Sequence, residues 1–302
     1  MKRIIRVLIF STLSIGFLSS CEDVISLDIS TGASQLVVDG WITNQPTTQS
    51  IRLSQSAAYF DNTAKPVLNA TVTVTDNKGN VFPFKDVKNN GQYVWTPAND
   101  RDTLGRVGGN YVLNIKFGSE EYTSRARINR VPKIDSVTYF ADKLPIKPTD
   151  GSPQEGYIAE FYGRDPIGEG DCYWIKAARN DTLFNKTTNI NLAYDAGFSP
   201  GSATDGLTFI LPLRRSISPR FYLEKDKVKV ELYSISLEAF YFLSQVRQES
   251  NNAGLFATAP ANVFTNVSNM NPNGRKALGF FGASAVSTFQ TVIDAKKAKP
   301  KP

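Results

Sequence analysis

From Gln35 to about Ile128 apolar and polar residues alternate with a period of two, and no helical period interrupts them. Successive side chains on a strand point to opposite faces, so a segment of this kind buries one face of a sheet and wets the other. Ala70, Val72 and Val74 alternate with Thr71, Thr73 and Thr75, while Tyr111, Leu113, Ile115 and Phe117 alternate with Val112, Asn114 and Lys116. Turn residues separate the runs: Asp76-Asn77-Lys78-Gly79-Asn80 precedes Val81-Phe82, and Gly118-Ser119-Glu120-Glu121 precedes the run from Tyr122 to Ile128. Short strands at this spacing predict an antiparallel Ig-like or transthyretin-like sandwich over residues 35–130.

Val131-Pro132-Lys133-Ile134 marks a stiff junction, because proline fixes φ and holds its predecessor extended. Residues 131–294 form a second β-rich domain in this reading. Its strand runs are Val137 to Phe140, Tyr157 to Tyr162, Cys172 to Ala177, Leu207 to Leu213, Lys227 to Ile235, Val263 to Val267, Ala277 to Phe281 and Val286 to Ile293. One packed helix is expected over residues 236–250. Ser236 supplies the N-cap, Glu238 the acidic first turn, and Ile235 with Phe240 the staple; Leu237, Phe240, Leu243 and Val246 supply an apolar stripe. Two long polar loops, Lys143 to Gln154 and Tyr194 to Gly206, are functional candidates, since loops of that length are uncommon in compact domains. Residues 295–302 are a solvated lysine-rich tail.

The chain has no histidine and only two cysteines among 302 residues. That excludes Ser-His-Asp and Cys-His nucleophiles, histidine proton shuttles and histidine-ligated zinc or haem. Neither a cofactor nor a metal is expected, and an enzyme is not. Cys172 lies in a strand-like run and reads as an inert buried thiol.

The N-terminus carries an address. Lys2, Arg3 and Arg6 precede a short apolar run, Val7 to Leu18, too short to cross a hydrocarbon core of about 30 Å as a helix. Residues 1–20 are therefore expected to be a signal peptide. Leu18-Ser19-Ser20-Cys21 matches a bacterial lipobox, which makes Cys21 the lipidated residue of an acyl-anchored protein and residues 21–34 its tether. Glu22 and Asp23 then stand where a surface-export signal would be. Removing Lys2, Arg3 and Arg6 from the 34 basic residues leaves 31 against 28 acidic, a net +3, so no nucleic-acid partner is expected.

Several motifs together resemble one family, domain of unknown function 4249. They are Gly40-Trp41-Ile42-Thr43, Gly91-Gln92-Tyr93, Gly109-Asn110-Tyr111-Val112-Leu113, the run from Tyr222 to Leu232 leading into Ser234-Ile235-Ser236, Pro260-Ala261-Asn262-Val263, Asn266-Val267, and Leu278-Gly279-Phe280-Phe281-Gly282-Ala283. The likeness runs from about Leu36 to Val292. It implies an outer-membrane lipoprotein of Bacteroidota, commonly encoded beside a TonB-dependent receptor. The expected role is thus an accessory to such a receptor at the outer face of the outer membrane, capturing ligand or covering the barrel mouth. The ligand would be a glycan, a peptide or a siderophore-like molecule. The alternatives are a free-standing surface binding or adhesion module and, third, a histidine-free hydrolase using paired carboxylates.

Candidate acids for that third reading are Glu160, Asp165, Asp205 and Glu224. Asn99-Asp100-Arg101-Asp102 offers oxygen ligands but lacks the glycine and distal glutamate of a calcium loop, so it reads as a polar loop. Trp95 and Trp174 read as core and Trp41 is undecided. Thr103 and Thr182, each after aspartate and before leucine, and Ser136 in Asp135-Ser136-Val137, match a short O-glycosylation pattern. Thr103 and Thr182 are the better acceptors, in turns. Tyr194, Phe198 and Pro200 are apolar anchors in a polar, glycine-containing loop and are the expected partner contacts.

Overall fold

The computed structural model describes residues 32–57, 61, 63–252, 258 and 261–302. Its strands, in chain order, are β1 (Leu36–Thr43), β2 (Gln49–Gln55), β3 (Thr71–Asp76), β4 (Val81–Phe84), β5 (Gln92–Trp95), β6 (Asn110–Phe117), β7 (Glu120–Arg127), β8 (Ile134–Lys143), β9 (Glu155–Gly163), β10 (Cys172–Arg179), β11 (Thr182–Leu183), β12 (Asn191–Tyr194), β13 (Lys227–Ile235), β14 (Ser268–Asn269), β15 (Ala277–Ser284) and β16 (Val286–Val292). The one α-helix among the described residues, α1 (Leu237–Ser250), follows β13. The fold is mostly β, its strand pairs antiparallel except for one, with one α-helix among the described residues.

The first sandwich packs the sheet β15-β1-β2-β5 on the sheet β14-β7-β6-β3-β4. Its core takes the inward set of each strand, including Ile42, Ile51, Leu53, Val72, Val74, Leu113 and Ile115. The Asp76–Asn80 turn forms as its residues dictate. Asp76 Oδ1 accepts the N–H of Lys78 and of Asn80, and Gly79 takes the left-handed φ of +84° that the return requires.

Two strands of this sandwich come from beyond the expected boundary at residue 131. β15 runs parallel to β1, pairing Leu36 with Ala277 through Thr43 with Ser284, and β14 extends the other sheet by pairing with β7. A strand's alternation reports that it will pair, not with which edge, so the sequential division misses the exchange. Without β15 and β14 the strands β1 and β7 would present open edges. The close approach depends on Gly279, whose φ is +86° and where any Cβ would collide with the Val38 carbonyl. Residues Ser34–Ala57 and Asn62–Pro302 accordingly form one compact unit.

The second sandwich sets the hairpin β8-β9 against the sheet β11-β10-β13-β16, with β12 also paired to β10. Tyr173, Ile175 and Ala177 of β10 and Val228, Val230 and Leu232 of β13 share a core with Ile134, Phe161 and Phe209. The opposite face of the sheet carries Cys172, Trp174 and Tyr233, which cluster with α1 and with Phe280 of β15. Helix α1 begins as its sequence requires: Ser236 Oγ accepts the Ala239 N–H at 3.1 Å, and Ile235 and Phe240 are buried in one cluster. Leu237, expected in the apolar stripe, is instead exposed, and Ala239 is buried beside Phe240 and Leu243.

Two expected strands are not strands. The Leu207 to Leu213 run makes one isolated bridge, Thr208 with Arg164, and ends in a 3-10 turn at Leu213–Arg215. Pro212 has no N–H for a ladder. Phe209 and Leu213 are nonetheless buried, the Phe209 ring 5.3 Å from Phe161 and 5.4 Å from Tyr173, while Leu207 and Leu211 are exposed. In the Val263 to Val267 run the Asn266 side chain replaces a ladder, donating to the Phe281 carbonyl at 2.8 Å and accepting the Phe281 N–H at 2.9 Å.

Candidate functional site

Cys21, Glu22 and Asp23 lie outside the described residues. Thr182 is exposed at the start of β11, Thr103 is half-buried in a loop, and Ser136 is half-buried within β8. The Asn99 to Asp102 loop spends its side chains on itself, with Arg101 N–H bonded to Asn99 Oδ1 and Ala98 N–H to Asp102 Oδ2.

The four candidate acids do not converge as a set. Glu160 is buried between Arg215, at 2.6 Å, and Arg214, at 3.6 Å. Glu224 is exposed and caps the Ala295 N–H. Asp165 and Asp205 do meet, joined by Asp195, and one carboxylate oxygen from each lies within 4.8 Å of the others. Asp165 and Asp195 are each only 1% exposed, so this trio offers a substrate no open face. Burial raises the Asp165 carboxyl above its ordinary range, against hydrogen bonds from Tyr173 and Gly206 that lower it. Burial likewise pushes the neighbouring Cys172 thiol up to about 12, with Asp195 and Asp171 adding to the effect, so it stays protonated.

The Tyr194 to Gly206 loop is anchored at its root and free at its tip. Tyr194 and Gly197 exchange backbone hydrogen bonds, Asp195 holds a left-handed φ of +49°, and Ala196 is buried. Tyr194 packs its ring edge-on against Phe240 of α1, 6.5 Å between centroids. Phe198, 48% exposed, and Pro200 project from the tip.

A cleft of about 640 Å³ opens where β6 and β7 face β15 and the first turn of α1. Trp41, Phe280 and Leu237 give it an apolar wall, and Arg125 and Arg127 stand on β7 at its side. Trp41 stacks on Phe280 at 5.9 Å and meets Trp174 edge-on at 5.3 Å, in space that Gly282 leaves by having no side chain. Trp174 in turn carries the Lys176 ammonium 3.6 Å from its ring centroid.

The family model for domain of unknown function 4249 matches residues 22–290. The chain belongs to that family. No curated protein matches it. In this member of the domain of unknown function 4249 family the matched span takes in both sandwiches, α1 and the returning strands β14 and β15. The match covers all but the end of β16 in the interlocked pair, and the residues lining the cleft between β7, β15 and α1 fall inside it. Sequence reasoning missed that cleft because β15 reaches β1 from about 240 residues away. It also missed Asp195 as a partner of Asp165 and Asp205. A local signal existed for neither.

Proposed function

We propose that this protein is a lipoprotein anchored through Cys21 in the outer membrane and facing the cell exterior, where it serves a TonB-dependent receptor by capturing ligand. The lipobox Leu18-Ser19-Ser20-Cys21, the acids Glu22 and Asp23 and the family membership support the location. The observation that carries the binding role is the cleft of about 640 Å³ with its Trp41 and Phe280 wall. Its volume falls in the range of small-molecule sites, and an aromatic wall beside Arg125, Arg127, Asp76 and Glu238 suits a sugar, with ring faces to stack on and charged groups of both signs to meet hydroxyls. The exposed Phe198 and Pro200 tip supplies a separate apolar contact for the receptor.

The experiment is a mild-detergent pull-down of the tagged lipoprotein, with mass spectrometry of what accompanies it. A receptor barrel should co-purify, and Phe198→Ser should reduce its recovery with no loss of fold, since exposed positions tolerate change within about 0.5 kcal/mol. A wider deletion, Asp195 to Thr204, would remove buried Asp195 and Ala196 and so destabilise the domain. Recovery of no barrel, together with retained binding of a glycan or peptide sensitive to Trp41→Ala, would establish the free-standing surface module instead.

A further inference from the structure

Four carboxylates are buried among the described residues: Glu160, Asp165, Asp195 and Asp226. A carboxylate removed from water needs a cation or a full set of donors. Glu160 has Arg215 and Arg214, and Asp226 has Arg179 at 2.6 Å. Asp165 and Asp195 have no cationic side chain of their own, and they sit together with Asp205. Two guanidinium groups close by are already spent: Arg164 donates to the Gly206 carbonyl at 3.0 Å, and Arg130 is held elsewhere. It grips Asp171 and donates to the carbonyls of Pro166, Ile167 and Gly168.

Donors reach part of the trio. Asp165 Oδ1 accepts the Tyr173 hydroxyl at 2.5 Å and Oδ2 the Gly206 N–H at 3.2 Å. Asp195 Oδ1 accepts the N–H groups of Gly170 and Asp171, and Asp205 Oδ1 that of Gly168. Asp195 Oδ2 is shielded from solvent and has no hydrogen-bond partner among the described residues. An ionised acceptor left buried and unmatched carries the full desolvation cost.

We propose that Asp165, Asp195 and Asp205 bind a calcium ion, with Asp195 Oδ2 as one of its ligands. Two oxygens at about 2.4 Å from one ion lie no more than about 4.8 Å apart, the limit within which the three carboxylates stand. The donors are all hard oxygens, which suits calcium and disfavours zinc. They come from two chain segments, Asp165 after β9 and Asp195 with Asp205 from the two ends of one loop, a set that meets calcium's variable geometry more readily than the strict octahedron of magnesium. Three carboxylates leave about three to five of calcium's positions to water and main-chain oxygens. The ion would pin the root of the Tyr194 to Gly206 loop to the turn after β9, and so fix where Phe198 projects. None of this rests on the receptor reading.

The test uses the full mature chain in detergent, stripped with chelator and titrated with calcium alone. Calcium at about a hundred times its Kd should raise Tm by roughly 5 °C. Terbium bound in its place should luminesce on tyrosine excitation through Tyr173. Asp205→Asn, at a half-buried position that should still fold, should weaken calcium binding by more than the roughly ten-fold that loss of a mere outer-shell partner costs a metal site. Asp195→Asn should abolish it. An unmodified chain with no Tm response and no terbium signal at millimolar metal overturns the proposal. So does an Asp205→Asn chain with the unmodified affinity. If Asp195→Asn stabilises a chain that ignores calcium, a shared proton neutralises the cluster and the proposal also fails.

Discussion

The two sandwiches hide different kinds of group. Among the described residues the first buries only uncharged polar side chains, Gln49, Ser124 and Ser284, whereas the second buries four carboxylates. The first is built on alternation and apolar area, which act locally and along each strand. The second inserts ionic links between segments distant in sequence, such as Arg179 with Asp226 and Arg215 with Glu160. Ion pairs of the same length consequently differ in worth. Lys116 and Glu121 of the first sandwich meet at 2.7 Å with both side chains more than half exposed, while Arg179 and Asp226 meet at 2.6 Å with the aspartate 9% exposed.

The largest expected effect that would test this contrast is Asp226→Ala. It leaves Arg179 uncompensated and removes acceptors from the Leu223 N–H and the Asn180 amide, at a cost of roughly 3–5 kcal/mol in urea unfolding. A loss below about 1 kcal/mol would put the second sandwich on the same footing as the first. Next comes Gly279→Ala, which forces a Cβ onto the Val38 carbonyl in a left-handed conformation and should cost roughly 1–3 kcal/mol. It should also split one unfolding transition into two as β15 leaves β1. An unchanged midpoint would mean the exchanged strand does not couple the sandwiches.

A smaller effect concerns pH. Burial lowers Lys176 to about 8, with Glu231 and Asp39 opposing, so between about 8 and its ordinary 10.5 the unfolded chain holds this proton more firmly than the folded one. Lys176 should therefore contribute stability that rises with pH across that window, read as a stability difference between the unmodified chain and Lys176→Met that grows with pH. Tyr222, Tyr233 and Cys172 are raised by burial, so the unfolded chain releases their protons before the folded one does and they oppose the Lys176 slope in the upper part of the window, in both chains alike. A slope unchanged in the Lys176→Met chain would assign it to another group. The smallest effect is Glu121→Ala, expected to change stability by less than about 0.5 kcal/mol and to lose even that in high salt.

What could be read in the sequence follows the same divide. The Ser236 cap, the Ile235 and Phe240 staple and the turn at Asp76 are signals a few residues long, and each forms where its residues stand. The alternation of Leu113 and Ile115 shows their burial. It does not show that Ala277 to Ser284 will lie beside β1, because register with a distant edge leaves no mark on either strand. Leu207 to Leu213 has the apolar content of a strand but buries only Phe209 and Leu213, and Pro212 and the packing of Phe209 between Phe161 and Tyr173 set its path. The acid trio was half visible: Asp165 and Asp205 are candidates by type, but Asp195 joins them only through loop closure.

The parallel pairing of β1 with β15 also orders events in time. The strand that begins near residue 36 finds a permanent neighbour near residue 277, so the N-terminal sandwich is the earliest part of the chain to emerge and cannot finish closing until nearly all the rest has followed. Loop-closure entropy on this scale slows folding. Until those C-terminal strands arrive, β1 keeps an open edge, and an export of the kind proposed above would gain from a chain that stays extensible for that long.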